Sequence, residues 1–126
     1  MNVLHTAIWV SDLEVTAEFY RDGLGLEYSR DFSTAGVRNY FVAGGNGTEI
    51  QFKYDPERDL RVEPDGIDHL AVGVENLGAT LDHLTGDRGS SVVKAPTKLE
   101  ATGSTIAFVT DPDGYTIELI EKSETA

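Results

Sequence analysis

The 126-residue chain contains no cysteine. That excludes disulfides, thiolate metal ligands and cysteine nucleophiles, so any reactive centre is built from nitrogen and oxygen. Basic residues are scarce: 10 Lys and Arg stand against 22 Asp and Glu, for a net charge of −12. Such a surface repels nucleic acid and anionic membranes, and neither is expected as a partner. The acids are dispersed rather than gathered in a run, which gives no sign of a basic protein partner. With Lys53, Lys94, Lys98 and Lys122 as its lysines, the composition suits a salt-rich cytoplasm in which screening relieves self-repulsion, and the chain reads as halophilic. No apolar run approaches the ~20 residues needed to cross a bilayer. The N-terminus opens directly into a strand-like segment with no basic, then apolar, secretory signal, and a cytoplasmic location is expected.

What the chain does have is a duplication. His5-Thr6-Ala7-Ile8-Trp9-Val10-Ser11-Asp12-Leu13 recurs as His69-Leu70-Ala71-Val72-Gly73-Val74-Glu75-Asn76-Leu77, and Gly47-Thr48-Glu49-Ile50-Gln51-Phe52 recurs as Gly114-Tyr115-Thr116-Ile117-Glu118-Leu119. A repeat sets the architecture before any single residue does. Halves of roughly 60 residues are marginal as independent folds, so a single domain over 1–126 is expected, with module one at 1–54, a linker at 55–66 and module two at 67–122.

Within the first half the residue pattern predicts a strand over Val3 to Val10, then a helix over Leu13 to Asp22. Asp12 is its N-cap and Gly23-Leu24-Gly25 its stop. Strands follow over Glu27 to Phe32, Val37 to Val42 and Glu49 to Tyr54, with Gly44-Gly45-Asn46-Gly47 as a turn. The charged segment Asp55 to Gly66 carries Pro56 and Pro64 and reads as the linker. The second half repeats the order: a strand over Asp68 to Val74, Asn76 as N-cap, a helix over Leu77 to Leu84, a strand over Val92 to Leu99 interrupted by Pro96, and strands over Thr105 to Thr110 and Tyr115 to Glu121. Asp111-Pro112-Asp113-Gly114 forms the hairpin turn, Pro presetting φ and Gly supplying a positive one. The expectation is an α+β fold of two tandem βαβββ modules.

Successive strand side chains face opposite sides of a sheet. His5, Ala7 and Trp9 therefore share a face, as do Glu49, Gln51 and Lys53, then His69, Ala71 and Gly73, then Thr116 and Glu118. The opposite faces are mainly apolar and are expected to pack on the helices, leaving the polar faces to line a concavity. Two imidazoles, a carboxylate and an amide oxygen make a mixed ligand set for a divalent first-row ion such as Ni, Zn, Co or Mn. The metal ligands expected are His5, Gln51, His69 and Glu118. Parity alone does not separate Gln51 from Glu49; the repeat selects Gln51, because it aligns with Glu118 relative to the glycine. Four protein ligands on an octahedral ion leave two positions open, enough to chelate neighbouring substrate oxygens and stabilise an enediolate. Glu118 could leave the ion and act as the catalytic base on a carbon-bound proton. His83 reads as structural, and Trp9 reads equally as pocket wall or core. Lys53 and Arg38 could hold an anionic substrate but read first as solvated surface, as do Glu27, Asp31 and the linker acids.

These residues resemble glyoxalase I and, more broadly, the vicinal oxygen chelate superfamily of paired βαβββ modules. The resemblance runs from His5 to Glu121. It is carried most specifically by Ile106-Ala107-Phe108-Val109-Thr110-Asp111-Pro112-Asp113-Gly114-Tyr115-Thr116-Ile117-Glu118-Leu119-Ile120-Glu121, with Leu4-His5-Thr6, Asp12-Leu13, Phe19-Tyr20 and Leu24-Gly25-Leu26 also typical. It implies a curved, half-barrel mixed sheet with helices on its outer face. It also implies a homodimer, a small-molecule substrate and one divalent metal ion per site held at His5, Gln51, His69 and Glu118. The implied reaction converts the hemithioacetal of methylglyoxal and a thiol into a 2-hydroxyacyl thioester. Two positions depart from glutathione-using members: Trp9 stands where they place an arginine and Asp55 where they place an asparagine, which opens the choice of thiol. The alternatives are a methylmalonyl-CoA epimerase-like enzyme, a ring-cleaving dioxygenase and a non-catalytic small-molecule-binding protein of the same fold. A fourth protein ligand argues against the dioxygenase, and an intact ligand set against the binding protein.

Overall fold

The computed structural model describes residues 1–63 and 65–123; Pro64 of the expected linker lies outside the described residues. The elements are β1 (His5–Trp9), α1 (Leu13–Glu18), a π turn (Phe19–Gly23), β2 (Glu27–Thr34), β3 (Val37–Ala43), β4 (Glu49–Tyr54), β5 (Leu70–Gly73), α2 (Leu77–Asp87), β6 (Val92–Lys98), β7 (Thr105–Thr110) and β8 (Thr116–Glu121). The chain divides into two compact units, Met1–Val62 and Glu63–Ala126. Each unit is a βαβββ module with a four-stranded mixed sheet, ordered β1-β4-β3-β2 in the first and β5-β8-β7-β6 in the second. The fold class is α+β.

In each sheet the first strand of the module pairs in parallel with its last, and the remaining pairs are antiparallel. Alternation then sorts the side chains. In the first module Ile8, Val10, Val42 and Phe52 are buried, and Tyr20 packs on Phe52 with ring centroids 4.8 Å apart. In the second, Val72, Ala107, Val109, Ile117 and Leu119 are buried, and α2, with Leu77 and Leu84 inward, packs on β6, β7 and β8.

The helices start where the sequence says. Asp12 accepts from the Val15 amide at 3.2 Å, and Asn76, at the matching repeat position, accepts from the Ala79 amide at 3.0 Å. A second acid reaches the same end of α2: the Leu77 amide donates to Glu121 Oε1 at 2.9 Å. Their later turns differ from expectation. The first helix does not run evenly to Asp22 but widens after Glu18 into the π turn, closed by the Leu24 amide donating to the Phe19 carbonyl at 3.0 Å. A wider turn brings adjacent side chains closer in direction, which lets consecutive Phe19 and Tyr20 both enter the core. The second helix continues past Leu84 to Asp87 and stops where Gly89 adopts φ +66, with the Ser90 amide donating back to the Leu84 carbonyl at 3.0 Å.

The two hairpin turns each end on a left-handed glycine. Gly47 and Gly114 sit at φ +83 and +87, and Asp111 Oδ1 accepts from the amides of both Asp113 and Tyr115 at 2.9 Å. Pro96 lies where the β6–β7 register shifts between Lys94 and Thr97. His69 lies immediately before β5 rather than inside it.

Because Asp12 and Asn76 cap equivalent helices in separate units, Asp12→Ala and Asn76→Ala should each lower stability by about 1 kcal/mol, the usual cost of losing an N-cap side chain. The double variant should show the sum in urea unfolding.

Candidate functional site

In the second module the parallel pairing sets Ala71 beside Glu118 and so brings His69, two residues upstream, to the same face of the sheet. His69 Nε2 lies 3.1 Å from Glu118 Oε1, and His69 Nδ1 lies 2.7 Å from Asp68 Oδ2. Asp68, with no donor of its own, fixes Nδ1–H as the donor. Nε2 then faces a carboxylate oxygen. A contact at that distance is held by a positive species between the two atoms, either a proton on the ring or a cation. The His69–Glu118 pair is therefore chemically suited to hold a divalent metal.

In the first module β1 and β4 pair with His5 beside Glu49 and Ala7 beside Gln51. Gln51 is 8% exposed; its Nε2 donates to Asn39 Oδ1 at 2.8 Å, and Asn39 Nδ2 donates to the Val37 carbonyl at 3.2 Å. This chain spends the Gln51 amide nitrogen and leaves the carbonyl oxygen, the atom a metal requires, for another partner. Glu49, on the same face, is occupied otherwise. Its carboxylate accepts from Ser29 Oγ at 2.6 Å and from Arg30 Nε and Nη2 at 3.3 and 3.2 Å. The hydrogen bond from Ser29, then those from Arg30, hold its carboxyl below its ordinary value of 4.5. Of the two side chains, Glu49 has its carboxylate engaged by Ser29 and Arg30, while Gln51 engages Asn39 through its nitrogen.

The modules match in a further detail that the sequence reading missed. Phe41 is the register partner of Gln51 and Phe108 that of Glu118. His5 meets Phe41 edge-on with centroids 5.5 Å apart, and His69 meets Phe108 edge-on at 5.4 Å. A ring edge against each imidazole restricts its orientation on the sheet. The signal was present as the repeat alignment of the two phenylalanines. Asn39 and Asp68 were also missed: Asn39 is visible only through the sheet register, while Asp68 stands next to His69 in the chain. Among the described residues no three His, Cys, Asp or Glu side chains gather into a ready metal cluster; what each module offers is one imidazole and one oxygen donor on adjacent strands.

The remaining candidates separate clearly. His83 pairs with Asp87 one turn along α2, at 2.7 Å. Arg38 lies 4.0 Å from Asp31. Trp9 is half-buried, with Lys53 Nζ 5.2 Å and the Arg58 guanidinium 4.8 Å from its ring centroid.

Residues 2–119 match the Glyoxalase/Bleomycin resistance protein/Dioxygenase superfamily. The chain belongs to this superfamily. It is 38% identical over 128 residues to a probable lactoylglutathione lyase of Synechocystis sp., covering 98% of this chain and 97% of that one. It is 32% identical over 131 residues to a lactoylglutathione lyase of Haemophilus influenzae, covering 99% and 96%. In structure it resembles the trypanothione-dependent glyoxalase I of Leishmania major, with a TM-score of 0.81 at 27% identity over 97% of this chain and 87% of that one. Maize glyoxalase I shares the fold with a TM-score of 0.84 at 24% identity; this chain, 96% of it covered, spans 44% of the maize chain. Among the described residues no helix is long and apolar enough to cross a membrane.

Asn39→Ala strands the buried Gln51 amide nitrogen without its acceptor and should cost about 1–3 kcal/mol in urea unfolding. A carboxyl depressed in the folded state contributes stability above its unfolded value and loses that contribution as pH falls. Glu49→Gln should therefore flatten the decline of stability with acidification below about pH 4.5, read as unfolding midpoint against pH.

Proposed function

We propose that this protein is a metal-dependent, glyoxalase I-like lyase/isomerase that converts the hemithioacetal of a 2-oxoaldehyde and a thiol into a 2-hydroxyacyl thioester. The observation that carries the reading is the His69–Glu118 pair, with Nε2 set 3.1 Å from Oε1, beside relatives that bear the name lactoylglutathione lyase. His5, Gln51, His69 and Glu118 are assigned to one divalent ion. When bound, that ion supplies Lewis acidity to the adjacent oxygens of the substrate.

The chain's own residues then divide the remaining work. Asp68 holds the His69 ring, and His69 in turn sets the rotamer of Glu118. Glu118 takes the proton from the carbon that carries sulfur as that carbon's electron pair moves toward the neighbouring carbonyl carbon, and it returns a proton to that neighbour. A hydroxyl proton passes between the two oxygens, so atoms and electrons balance as an isomerisation. Gln51 contributes a neutral oxygen, its nitrogen already committed to Asn39. Homodimerisation, from the resemblance, and a salt-rich cytoplasm, from the net charge of −12, belong to the same proposal.

The test is elemental analysis of the purified protein followed by assay with methylglyoxal and a panel of thiols. The expected result is a stoichiometric divalent metal, activity lost on chelation and regained on metal addition, and a fall in kcat of about 10²–10⁴-fold in Glu118→Gln. Metal-free protein, or activity indifferent to Glu118→Gln, overturns the reading. Turnover of methylmalonyl-CoA with none of the hemithioacetal also overturns it, in favour of an epimerase.

A further inference from the structure

We propose that Arg30 is a positioning residue for His5: it holds Phe41 against the imidazole and is itself fixed by Glu49 and Ser29. The role of His5 as a metal ligand rests on the proposed function above. The repeat shows what has to be solved. His69 has a carboxylate on its ring, Asp68 Oδ2 at 2.7 Å from Nδ1. The residue before His5 is Leu4, whose side chain offers no acceptor. His5 is exposed, and its ring contact among the described residues is the edge-on Phe41. The orientation of the imidazole is then only as well defined as that of Phe41.

Phe41 is buried, and its register partners are Gln51 on β4 and Arg30 on β2. The Arg30 guanidinium carbon stands 4.0 Å from the Phe41 ring centroid. A flat, delocalised cation at that distance stacks on the ring and is attracted by its π face. The guanidinium is held in turn. Its Nε donates to Glu49 Oε2 at 3.3 Å and its Nη2 to Glu49 Oε1 at 3.2 Å, while Ser29 Oγ donates to Glu49 Oε2 at 2.6 Å. This two-point fork fixes the plane of the cation, which a lysine ammonium cannot do. Consecutive residues of a regular strand face opposite ways. Ser29 and Arg30 both reach Glu49 because the β2–β3 register shifts between Tyr28 and Arg30, a bulge that re-aims the side chains beside it. Glu49 is the register partner of His5, so the contacts run from β1 through β3, β2 and β4 back to the position where they started.

The second module keeps the frame and omits the brace. Its β6 shifts register at the equivalent place, between Val92 and Lys94, and Lys94 is the register partner of Phe108 as Arg30 is of Phe41. Phe108 meets His69 as Phe41 meets His5. The counterpart of Glu49 is the uncharged Thr116, however, and a lysine stands for the arginine. The module that lacks the fork is the one whose histidine has Asp68. Fold stability gives no reason for the difference, since the Arg30 side chain is 52% exposed and an ion pair so open to solvent contributes little to folding. Orientation does give one: groups that orient a metal-ligating histidine govern metal affinity by about 10–100-fold.

The chain has three histidines, so their ring-proton resonances can be assigned by substitution and followed separately. Arg30→Lys keeps the charge and removes the fork and the flat face. In metal-free protein it should shift the His5 ring resonances and leave those of His69, in the other module, in place. Zinc affinity, read by competition with a chromophoric chelator, should fall about 10–100-fold in the same variant. Phe41→Leu should weaken zinc binding as much as the double variant Arg30→Lys/Phe41→Leu, because Arg30 acts through Phe41. If Phe41→Leu fails to fold, Arg30→Lys, at a half-exposed position, decides by itself. Resonances and zinc affinity indifferent to Arg30→Lys overturn the proposal, as does an equal displacement of His69, the mark of general loosening. Wild-type protein that binds no zinc, with His5 alone displaced by Arg30→Lys, retains the brace and rejects the metal assignment. Zinc bound with undiminished affinity in Arg30→Lys, with His5 unmoved, retains the metal assignment and rejects the brace, so the two failures are distinguishable.

Discussion

The candidate chemistry depends on the parallel pairing of the first and last strand in each module. Residues 5 and 51, and residues 69 and 118, are far apart in the chain, and β1–β4 and β5–β8 pairing makes them neighbours. Burial of Ile8, Val10 and Phe52 pins one register, as burial of Val72, Ile117 and Leu119 pins the other. A slip of one residue would turn every donor into the core and every core side chain outward. The polar face is therefore specified by the apolar one. The donors keep their place because hydrophobic residues two faces of a strand away leave no alternative.

Much of this was readable in advance, for a physical reason. β4 and β7 fall at their expected limits because strong alternation is bounded by glycine turns whose positive φ values the structure retains. The helix starts were legible because a capping side chain acts on amides two or three positions away. Legibility failed where the cause was tertiary. The π turn at Phe19 depends on two adjacent rings both finding room in the core, which no helical periodicity encodes. The register shift in β6 was signalled by Pro96 but not its extent.

The site shows the same division. Residue types and parity pointed to His5, Gln51, His69 and Glu118 but could not separate Gln51 from Glu49. The two differ in partners on neighbouring strands, which the sequence does not encode: Ser29 and Arg30 occupy Glu49, while Asn39 takes only the nitrogen of Gln51. Arg58 was invisible as a partner of Trp9 because a turn, not a strand, carries it there. Contacts made across hydrogen-bonded neighbours lie in the register, and register is a property of the folded sheet.

The duplication is most informative where it is imperfect. The backbone, the caps, the left-handed glycines and the histidine–phenylalanine contacts repeat, but the oxygen donors do not: one is an amide, the other a carboxylate. The amide is locked, buried at 8% exposure with its nitrogen committed to Asn39. The carboxylate has, among the described residues, His69 as its polar side-chain neighbour. An amide neither ionises nor takes up a proton at neutral pH and suits a permanent oxygen ligand, whereas a carboxylate can both ligate and accept a proton. Two carboxylates at the equivalent positions would add a second negative charge and a competing base. On the proposed reading the asymmetry between Gln51 and Glu118 assigns one oxygen to holding the ion and the other to moving the substrate's proton.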